Sequence, residues 1–162
     1  MKAAQEPVAT LRVTRVIKAP RERVFAAWTT PEDIHQWFGP ATCRVLSAQI
    51  DLRVGGEYRF RVNSPGCAEE NAVSNPAENI MEVCGVYREI KKPSRLVYTW
   101  SWEPKAEFGD SIVTVDFIDK EGFTEVQLTH DKLPSVDSRE KHGHGWNGCL
   151  DKLEVLMAGK QL

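Results

Sequence analysis

The sequence predicts an α+β fold, in which a curved antiparallel sheet of about seven strands is covered by one long C-terminal helix. Three observations support this prediction. A strand-like segment precedes two short helical segments, period-two alternation then continues through the middle of the chain, and the longest apolar stripe at helical spacing comes last. An antiparallel sheet of this kind has an apolar face, and a helix laid across that face removes it from water.

The first predicted elements are a strand and a short helix. Residues 10–18, TLRVTRVIK, alternate and are rich in β-branched side chains, which indicates a strand. The segment 20–30, PRERVFAAWTT, begins with a proline that suits the first turn of a helix. Its residues Val24, Phe25 and Trp28 then form one apolar stripe. We therefore expect the chain to pass from the first strand directly into a helix.

The segment PEDIHQWFGP predicts a second short helix. A threonine before it suits the N-cap, its proline suits the first turn, and its two acidic residues interact favourably with the helix dipole. Ile34, Trp37 and Phe38 share one face, and the Gly-Pro pair ends the helix. Two interpretations of the adjacent aromatic residues stay open: Trp37 and Phe38 fill a solid core, or they cap one end of an internal cavity.

Six further strands are predicted in the middle of the chain, where apolar and polar residues alternate. The strands are CRVLSAQID (43–51), EYRFRV (57–62), IMEVCGVYREI (80–90), RLVYTWSW (95–102), SIVTVDFID (111–119) and FTEVQLTH (123–130). Their expected core-facing residues include Leu46, Ala48, Ile50, Tyr58, Phe60, Val62, Leu96, Tyr98, Trp100, Trp102, Val126, Leu128 and His130. Both registers of 80–90 hold apolar residues, so the directions of Glu82 and Cys84 stay open. Residues 64–79 are polar and predict a long loop.

A long amphipathic helix is predicted from about residue 138 to residue 160. Its apolar stripe consists of Trp146, Leu150, Leu153 and Met157, flanked by Cys149 and Leu156. Gly143, Gly145 and Gly148 lower the helix propensity of its first half by about 1 kcal/mol each. These glycines indicate either irregular first turns or a close approach of the helix backbone to another element.

Composition excludes several classes of protein. The chain has 162 residues, a formal net charge of -2 and a sequence pI of about 6.1, which gives no electrostatic reason to expect nucleic acid or an anionic membrane as partner. It contains no run of about 18 apolar residues. Its first ten residues, MKAAQEPVAT, include a single Lys and no apolar region, so we do not expect them to act as a secretory signal. Four scattered cysteines are expected to be reduced thiols. We expect one domain spanning residues 1–162, with a core of about 10–160 and a cytoplasmic location.

Four segments occur in an order that resembles a known family: APRERVFAAWTTPEDIHQWFGP, DLRVGGEYRF, GVYREIKKPSRLVYTWSW and HGWNGCLDKLEVL. They are similar to bacterial homologues of the C-terminal domain of the activator of the heat-shock-protein-90 ATPase, within the START/Bet v 1-like (SRPBCC) superfamily. The resemblance runs from about residue 11 to residue 156. It implies the helix-grip fold and an internal hydrophobic cavity, and it implies no established activity. The loop 64–79 is longer and more polar than the hairpin usual in that family.

The supply of large apolar side chains, in a fold that leaves internal space, predicts binding of a small hydrophobic molecule. The candidate cavity residues are Trp28, Trp37, Phe38, Phe60, Tyr98, Trp100, His130, Trp146, Cys149, Leu150 and Leu153. No cofactor and no catalytic residue is assigned.

Two alternatives stay open. The resemblance implies a co-chaperone-like module that contacts a heat-shock ATPase, for which the loop 64–79 is the one available sequence feature. It also implies an enzyme of the cyclase or dehydratase type that acts on an aromatic or polyketide-like substrate. For that enzyme the inward candidates are His130, Tyr98 and Glu82, and they need to converge on one cavity.

The segment HGHGWNGC suggests a metal site, because imidazole and thiolate are zinc ligands. Residues two apart on a helix, however, point to different sides. We therefore interpret His142 and His144 as solvated side chains and expect no metal. Cys84 and Cys149 lack a partner base at any spacing typical of nucleophilic cysteines.

Overall fold

The protein is described by a computed structural model that covers residues 9–39, 43–63, 80–103 and 111–159. The elements are β1 (Ala9–Ile17), α1 (Arg21–Thr29), α2 (Pro31–Trp37), β2 (Arg44–Ile50), β3 (Glu57–Asn63), β4 (Ile80–Lys91), β5 (Arg95–Glu103), β6 (Ser111–Lys120), β7 (Phe123–Leu133) and α3 (Val136–Met157). The predicted fold class is confirmed. The predicted loop 64–79 lies outside the described residues, and the single domain spanning 1–162 stays a prediction.

All seven described strands form one curved, open antiparallel sheet in the order β1-β7-β6-β5-β4-β3-β2. Strands β2 to β7 are a meander of sequence neighbours. The first strand, β1, lies beside the last strand, β7, so β1 and β2 are the two edges. This topology makes one face of the sheet concave, and the helices cover that face.

The core-facing residues of β3 are those that its alternation predicts, because Tyr58, Phe60 and Val62 are all buried. The open question for β4 is also settled. Val83 and Tyr87 are buried on the same face, whereas Glu82 pairs with Arg59 on the opposite face. The register of β4 on β5 shifts between Tyr87 and Glu89, and this shift explains why neither phase of the sequence pattern holds along the whole strand.

One prediction for β2 is wrong. Leu46 is 46% exposed, and its neighbour Val45 is buried in its place. The pairing of β2 with β3 shifts register between Val45 and Ser47, which reverses the faces at that point. Beyond the shift, Ala48 and Ile50 pack against the core as expected.

Helix α3 packs chiefly along β1, with smaller contacts to β7 and α2. It is continuous through its glycines, so the expectation of irregular first turns is wrong. The alternative was a close approach of the helix backbone to another element, and this is what the structure has at Gly143. A Cβ atom at Gly143 would lie 3.2 Å from Cδ1 of Leu11, which shows how closely helix and strand approach. Arg15 of β1 also binds the helix, 2.9 Å from Asp151 Oδ1 and 3.1 Å from Asn147 Oδ1.

Helix α2 is short and ends abruptly. Its last backbone bond joins the Phe38 N–H to the carbonyl of Ile34, and Phe38 is already extended. Gly39 follows with φ +94°, a left-handed conformation that favours glycine. The sharp exit leaves Trp37 and Phe38 pointing inward, and both are buried.

Candidate functional site

An aromatic chamber lies between α1, α2 and strands β3 to β5. Nine residues line it, seven of them aromatic: Trp28, Ile34, Trp37, Phe38, Tyr58, Phe60, Tyr87, Leu96 and Tyr98. Each has at most 6% of its surface exposed. The void at its centre has a volume of about 10 Å³, which is room for about one water molecule. The chamber is therefore nearly filled by its own side chains.

Trp37 and Phe38 close the chamber on the α2 side. The ring centroids of Trp37 and Trp28 are 4.6 Å apart, and the Trp37 indole donates to the carbonyl of Ala27 at 2.9 Å. The ring of Phe38 lies 5.1 Å from that of Phe60 and 6.4 Å from that of Trp146 on α3. This pair thus joins both short helices to the sheet and to the long helix.

Three tyrosines of the chamber differ in their hydrogen bonds. The Tyr58 hydroxyl donates to the carbonyl of Thr99 at 2.6 Å. The Tyr98 hydroxyl accepts from the indole N–H of Trp28 at 3.2 Å. Among the described residues, no acceptor faces the Tyr98 hydroxyl hydrogen, and the Tyr87 hydroxyl forms no hydrogen bond.

Burial raises the pKa of Tyr98, and the neighbouring phenol of Tyr87 raises it further. Burial also raises the pKa of Tyr87, with a smaller contribution from the carboxylate of Asp51. Both phenols are therefore neutral through the physiological range and keep their protons.

A separate histidine cluster, formed by Ser111, His130, His142 and Trp146, lies between α3 and the strands β6 and β7. The indole of Trp146 donates to Nδ1 of His130 at 3.1 Å, and Nε2 of His130 lies 2.7 Å from Oγ of Ser111. Because an indole N–H only donates, Nδ1 is the acceptor and the hydrogen of the neutral ring is on Nε2. The Ser111 hydroxyl then donates to the carbonyl of Trp100 at 3.2 Å.

This tautomer determines whether His130 is able to act as a base for Ser111. Nε2 already carries a hydrogen, so it cannot accept the Ser111 proton, and the pair is not a nucleophile with its base. Burial lowers the pKa of His130 well below its usual value, and His142, whose ring centroid is 4.9 Å away, lowers it further. His130 is thus a neutral, hydrogen-bonded core residue.

The structure brings five of the eleven predicted cavity residues into the chamber: Trp28, Trp37, Phe38, Phe60 and Tyr98. The other six are buried elsewhere, namely Trp100, His130, Trp146, Cys149, Leu150 and Leu153. Four lining residues were not proposed as cavity residues: Ile34, Tyr58, Tyr87 and Leu96. Tyr58 and Leu96 were expected to face the core, and Ile34 was expected to share a helix face with Trp37 and Phe38. Tyr87 belongs to the strand whose phase the sequence left open.

The three candidates for an enzyme do not converge. Glu82 lies on the opposite face of the sheet, where its carboxylate is 2.7 Å from Nη1 of Arg59. Tyr98 and His130 face the same side of the sheet, but they are separated by Val113 of β6, which pairs with Tyr98 on one side and with His130 on the other. Tyr98 is hydrogen-bonded to Trp28, whereas His130 is hydrogen-bonded to Trp146. The proposed catalytic group is therefore not assembled.

The HGHGWNGC segment contains one correction. His142 is not solvated, because it is half-buried against His130 and its Nδ1 lies 2.8 Å from the carbonyl of Ser138. His144 is exposed, as expected. Cys149 accepts from the N–H of Gly39 at 3.2 Å, and burial raises the pKa of its thiol to about 12.

Two absences concern the described residues alone. They contain no group of three metal-ligating side chains placed to hold an ion. Within the same ranges, no helix has the length and apolar character needed to cross a bilayer.

Comparisons with known proteins place the chain in a family. The model of the family "Activator of Hsp90 ATPase homolog 1-like protein" matches residues 18–158. No curated protein matches the chain. Among solved structures, protein CV1439 from Chromobacterium violaceum is similar with 26% identity and a TM-score of 0.76, over 91% of this chain and 96% of that chain.

Two further structures are similar. The AHSA1 protein SPO3351 from Silicibacter pomeroyi has 22% identity and a TM-score of 0.76, over 93% of this chain and 98% of that chain. PFC0360w, an HSP90 activator from Plasmodium falciparum, has 25% identity and a TM-score of 0.64, over 92% of this chain and 96% of that chain. The chain thus belongs to the family of proteins like activator of Hsp90 ATPase homologue 1 and has the helix-grip fold.

Proposed function

We propose that this protein binds a small, flat apolar molecule in the aromatic chamber. The observation that carries the proposal is the concentration of seven aromatic side chains around a void at the centre of the fold. Helix α3 packs chiefly on β1, so the chamber is roofed by the short helices and not by the long one. Apolar walls with a few polar groups are typical of ligand sites.

A ligand needs more space than the closed chamber offers. A cavity of about 150 Å³ holds a benzene molecule, whereas the void here has room for about one water molecule. We propose that binding displaces α2, which is seven residues long and is closely followed by Gly39 in a left-handed conformation. An outward movement of this helix carries Trp37 and Phe38 away from β3 and enlarges the chamber.

The experiment is an NMR titration with benzene and with naphthalene, following the indole N–H signals of the tryptophans. We expect the signals of Trp28 and Trp37 to shift in a saturable way, and by more than the signal of Trp146, whose ring contacts Phe38 but does not line the chamber. If the signals show no saturable shift up to the solubility limit of the probes, the proposed function is contradicted. Equal shifts at all tryptophans would indicate non-specific adsorption and would also contradict it.

Two leucine variants provide a matched control. Leu96 lines the chamber and Leu153 lies outside it, and both are fully buried. Leu96→Ala enlarges the chamber and should tighten naphthalene binding at the Trp28 and Trp37 signals. Leu153→Ala creates a similar space elsewhere and should leave binding at those two signals unchanged.

A second function, activation of an Hsp90-type ATPase, is supported by the family match and by the similarity to the Plasmodium activator. It predicts that the purified protein raises the ATP hydrolysis rate of a bacterial Hsp90 several-fold. An unchanged ATP hydrolysis rate would contradict this second function. If naphthalene nevertheless binds, ligand binding is the function that is left. A cytoplasmic location and a role in stress responses belong to this proposal as predictions.

A further inference from the structure

We infer that the molecule bound in the chamber carries a hydrogen-bond-accepting oxygen, as in an aryl ketone or enone, and that this oxygen receives the hydroxyl hydrogen of Tyr98. The inference rests on the proposed function and specifies the chemical class of the ligand. It concerns one edge of the chamber, where β4 and β5 present their tyrosines.

Tyr98 is held in place with its hydrogen unused. Its hydroxyl oxygen accepts the indole N–H of Trp28 at 3.2 Å, which fixes the ring and the oxygen. A phenol has one hydrogen to donate, and the described residues place no acceptor within reach of it. Tyr98 is 5% exposed and lines the void, so the donor is buried without a partner of its own. A buried donor of this kind favours a ligand that supplies the acceptor.

Tyr87 adds a second donor beside the first. Its ring centroid lies 6.0 Å from that of Tyr98, and its hydroxyl also forms no hydrogen bond to a described residue. The raised pKa of each phenol keeps both hydroxyls neutral. The two donors are neutral, and the described residues that line the chamber include no Lys or Arg, which suits a neutral carbonyl oxygen. A carboxylate is disfavoured, because it would be desolvated without a cation.

Tyr58 shows the contrasting arrangement within the same chamber. Its hydroxyl donates a hydrogen bond to the carbonyl of Thr99 at 2.6 Å. Gly85 permits this bond, because a Cβ atom there would lie 1.9 Å from the Thr99 oxygen. The backbone therefore satisfies one tyrosine of the chamber and leaves the hydroxyl hydrogen of Tyr98 for the ligand.

The experiment compares acetophenone with α-methylstyrene, which have the same shape and differ in a C=O against a C=CH₂ group. Isothermal titration calorimetry should give about tenfold tighter binding of acetophenone to the wild type, the size of one net hydrogen bond. Tyr98→Phe should lose most of this preference, and Tyr87→Phe in addition should abolish what is left. Ser111→Ala removes a buried hydroxyl outside the chamber and should keep the tenfold preference.

The possible outcomes separate this inference from the proposed function. Equal affinities in the wild type would overturn the acceptor and leave the apolar site standing. An undiminished tenfold preference in Tyr98→Phe would also overturn the role of Tyr98. If neither compound binds, the proposed function itself is contradicted. The circular dichroism spectrum and melting temperature of each variant establish that it is folded.

Discussion

The aromatic chamber and the histidine cluster are both buried against the same sheet, yet they use their polar groups differently. In the histidine cluster, Trp146, His130 and Ser111 form a continuous chain of hydrogen bonds that ends on a backbone carbonyl. In the chamber, Tyr87 and Tyr98 keep hydroxyl hydrogens that no described residue accepts. A chain of satisfied bonds fixes one arrangement, whereas unused donors favour a further partner. The difference indicates which region is structural and which is open to a ligand.

The largest expected effect comes from truncating one tryptophan in each region. Trp146 and Trp37 are both buried, and each indole N–H donates one hydrogen bond. We expect Trp146→Ala to lower the free energy of unfolding by about 4 kcal/mol, because it leaves a cavity and breaks the hydrogen-bond chain. Trp37→Ala should cost less than about 3 kcal/mol, because the short helix α2 is able to collapse into the new space and reduce the residual cavity.

Urea denaturation of both variants measures the two costs. Addition of naphthalene should stabilise Trp37→Ala more than the wild type, because its chamber is larger, and should stabilise Trp146→Ala only as much as the wild type. Equal losses of stability, with no effect of naphthalene on either variant, would show that both tryptophans belong to one solid core.

The second prediction concerns pH and tests the histidine cluster. The folded state lowers the pKa of His130 below its usual value of 6.5, so between these two values the unfolded chain binds more protons. The stability contributed by neutral His130 is therefore complete above about pH 6.5 and is lost as the pH falls towards the folded pKa. We expect a slope approaching 1.4 kcal/mol per pH unit in that window. His142, whose pKa burial also lowers, adds to the slope in the same direction.

Free energies of unfolding at pH 5, 6, 7 and 8 provide the measurement. His130→Gln should be less stable at pH 8 and should show a flatter profile than the wild type. Ser111→Ala is the control, because it removes a neutral hydrogen bond worth about 1 kcal/mol and should retain the slope. An unchanged slope in His130→Gln would contradict the assignment.

The smallest expected effect separates two tyrosines of the chamber. Tyr58→Phe removes a buried bond to the Thr99 carbonyl and should cost about 1 kcal/mol. Tyr87→Phe removes a hydroxyl that has no hydrogen bond to a described residue and should change stability by less than about 0.5 kcal/mol. Thermal melts of the two variants, measured side by side, are sufficient. A larger loss for Tyr87→Phe would mean that its hydroxyl is already satisfied within the protein.

Periodicity was sufficient to predict the fold and much of the chamber. Ile34, Trp37 and Phe38 share a helix face in the sequence, and all three line the chamber. Tyr87 was missed because the register shift in β4 depends on pairing with β5, which no local pattern records. Leu46 was placed on the wrong face for the same reason. A shift in strand register is decided by the partner strand, so it becomes visible only in the folded sheet.

His142 shows a different limit. Its position in HGHGWNGC resembles a solvated helix start, but the chain folds that turn against β7, so the ring lies 4.9 Å from His130. Burial of this kind depends on how α3 docks on the sheet. The unused hydroxyl hydrogen of Tyr98 could not be predicted from the sequence either, because it depends on the hydrogen bond that the Trp28 indole donates to Tyr98 in the folded protein.

The position of β1 has a consequence for folding during synthesis. Its partners are β7 and α3, and the contacts of Thr10 with Asp131 and of Arg15 with Asp151 span 121 and 136 residues. The meander from β2 to β6 joins neighbouring strands, so it is able to form while the ribosome is still translating β7. Throughout that time β1 has no strand to pair with, and its charged residues, among them Arg12 and Arg15, protect an otherwise β-prone segment from association with other chains. The strand that is made first is thus the last to be incorporated into the sheet.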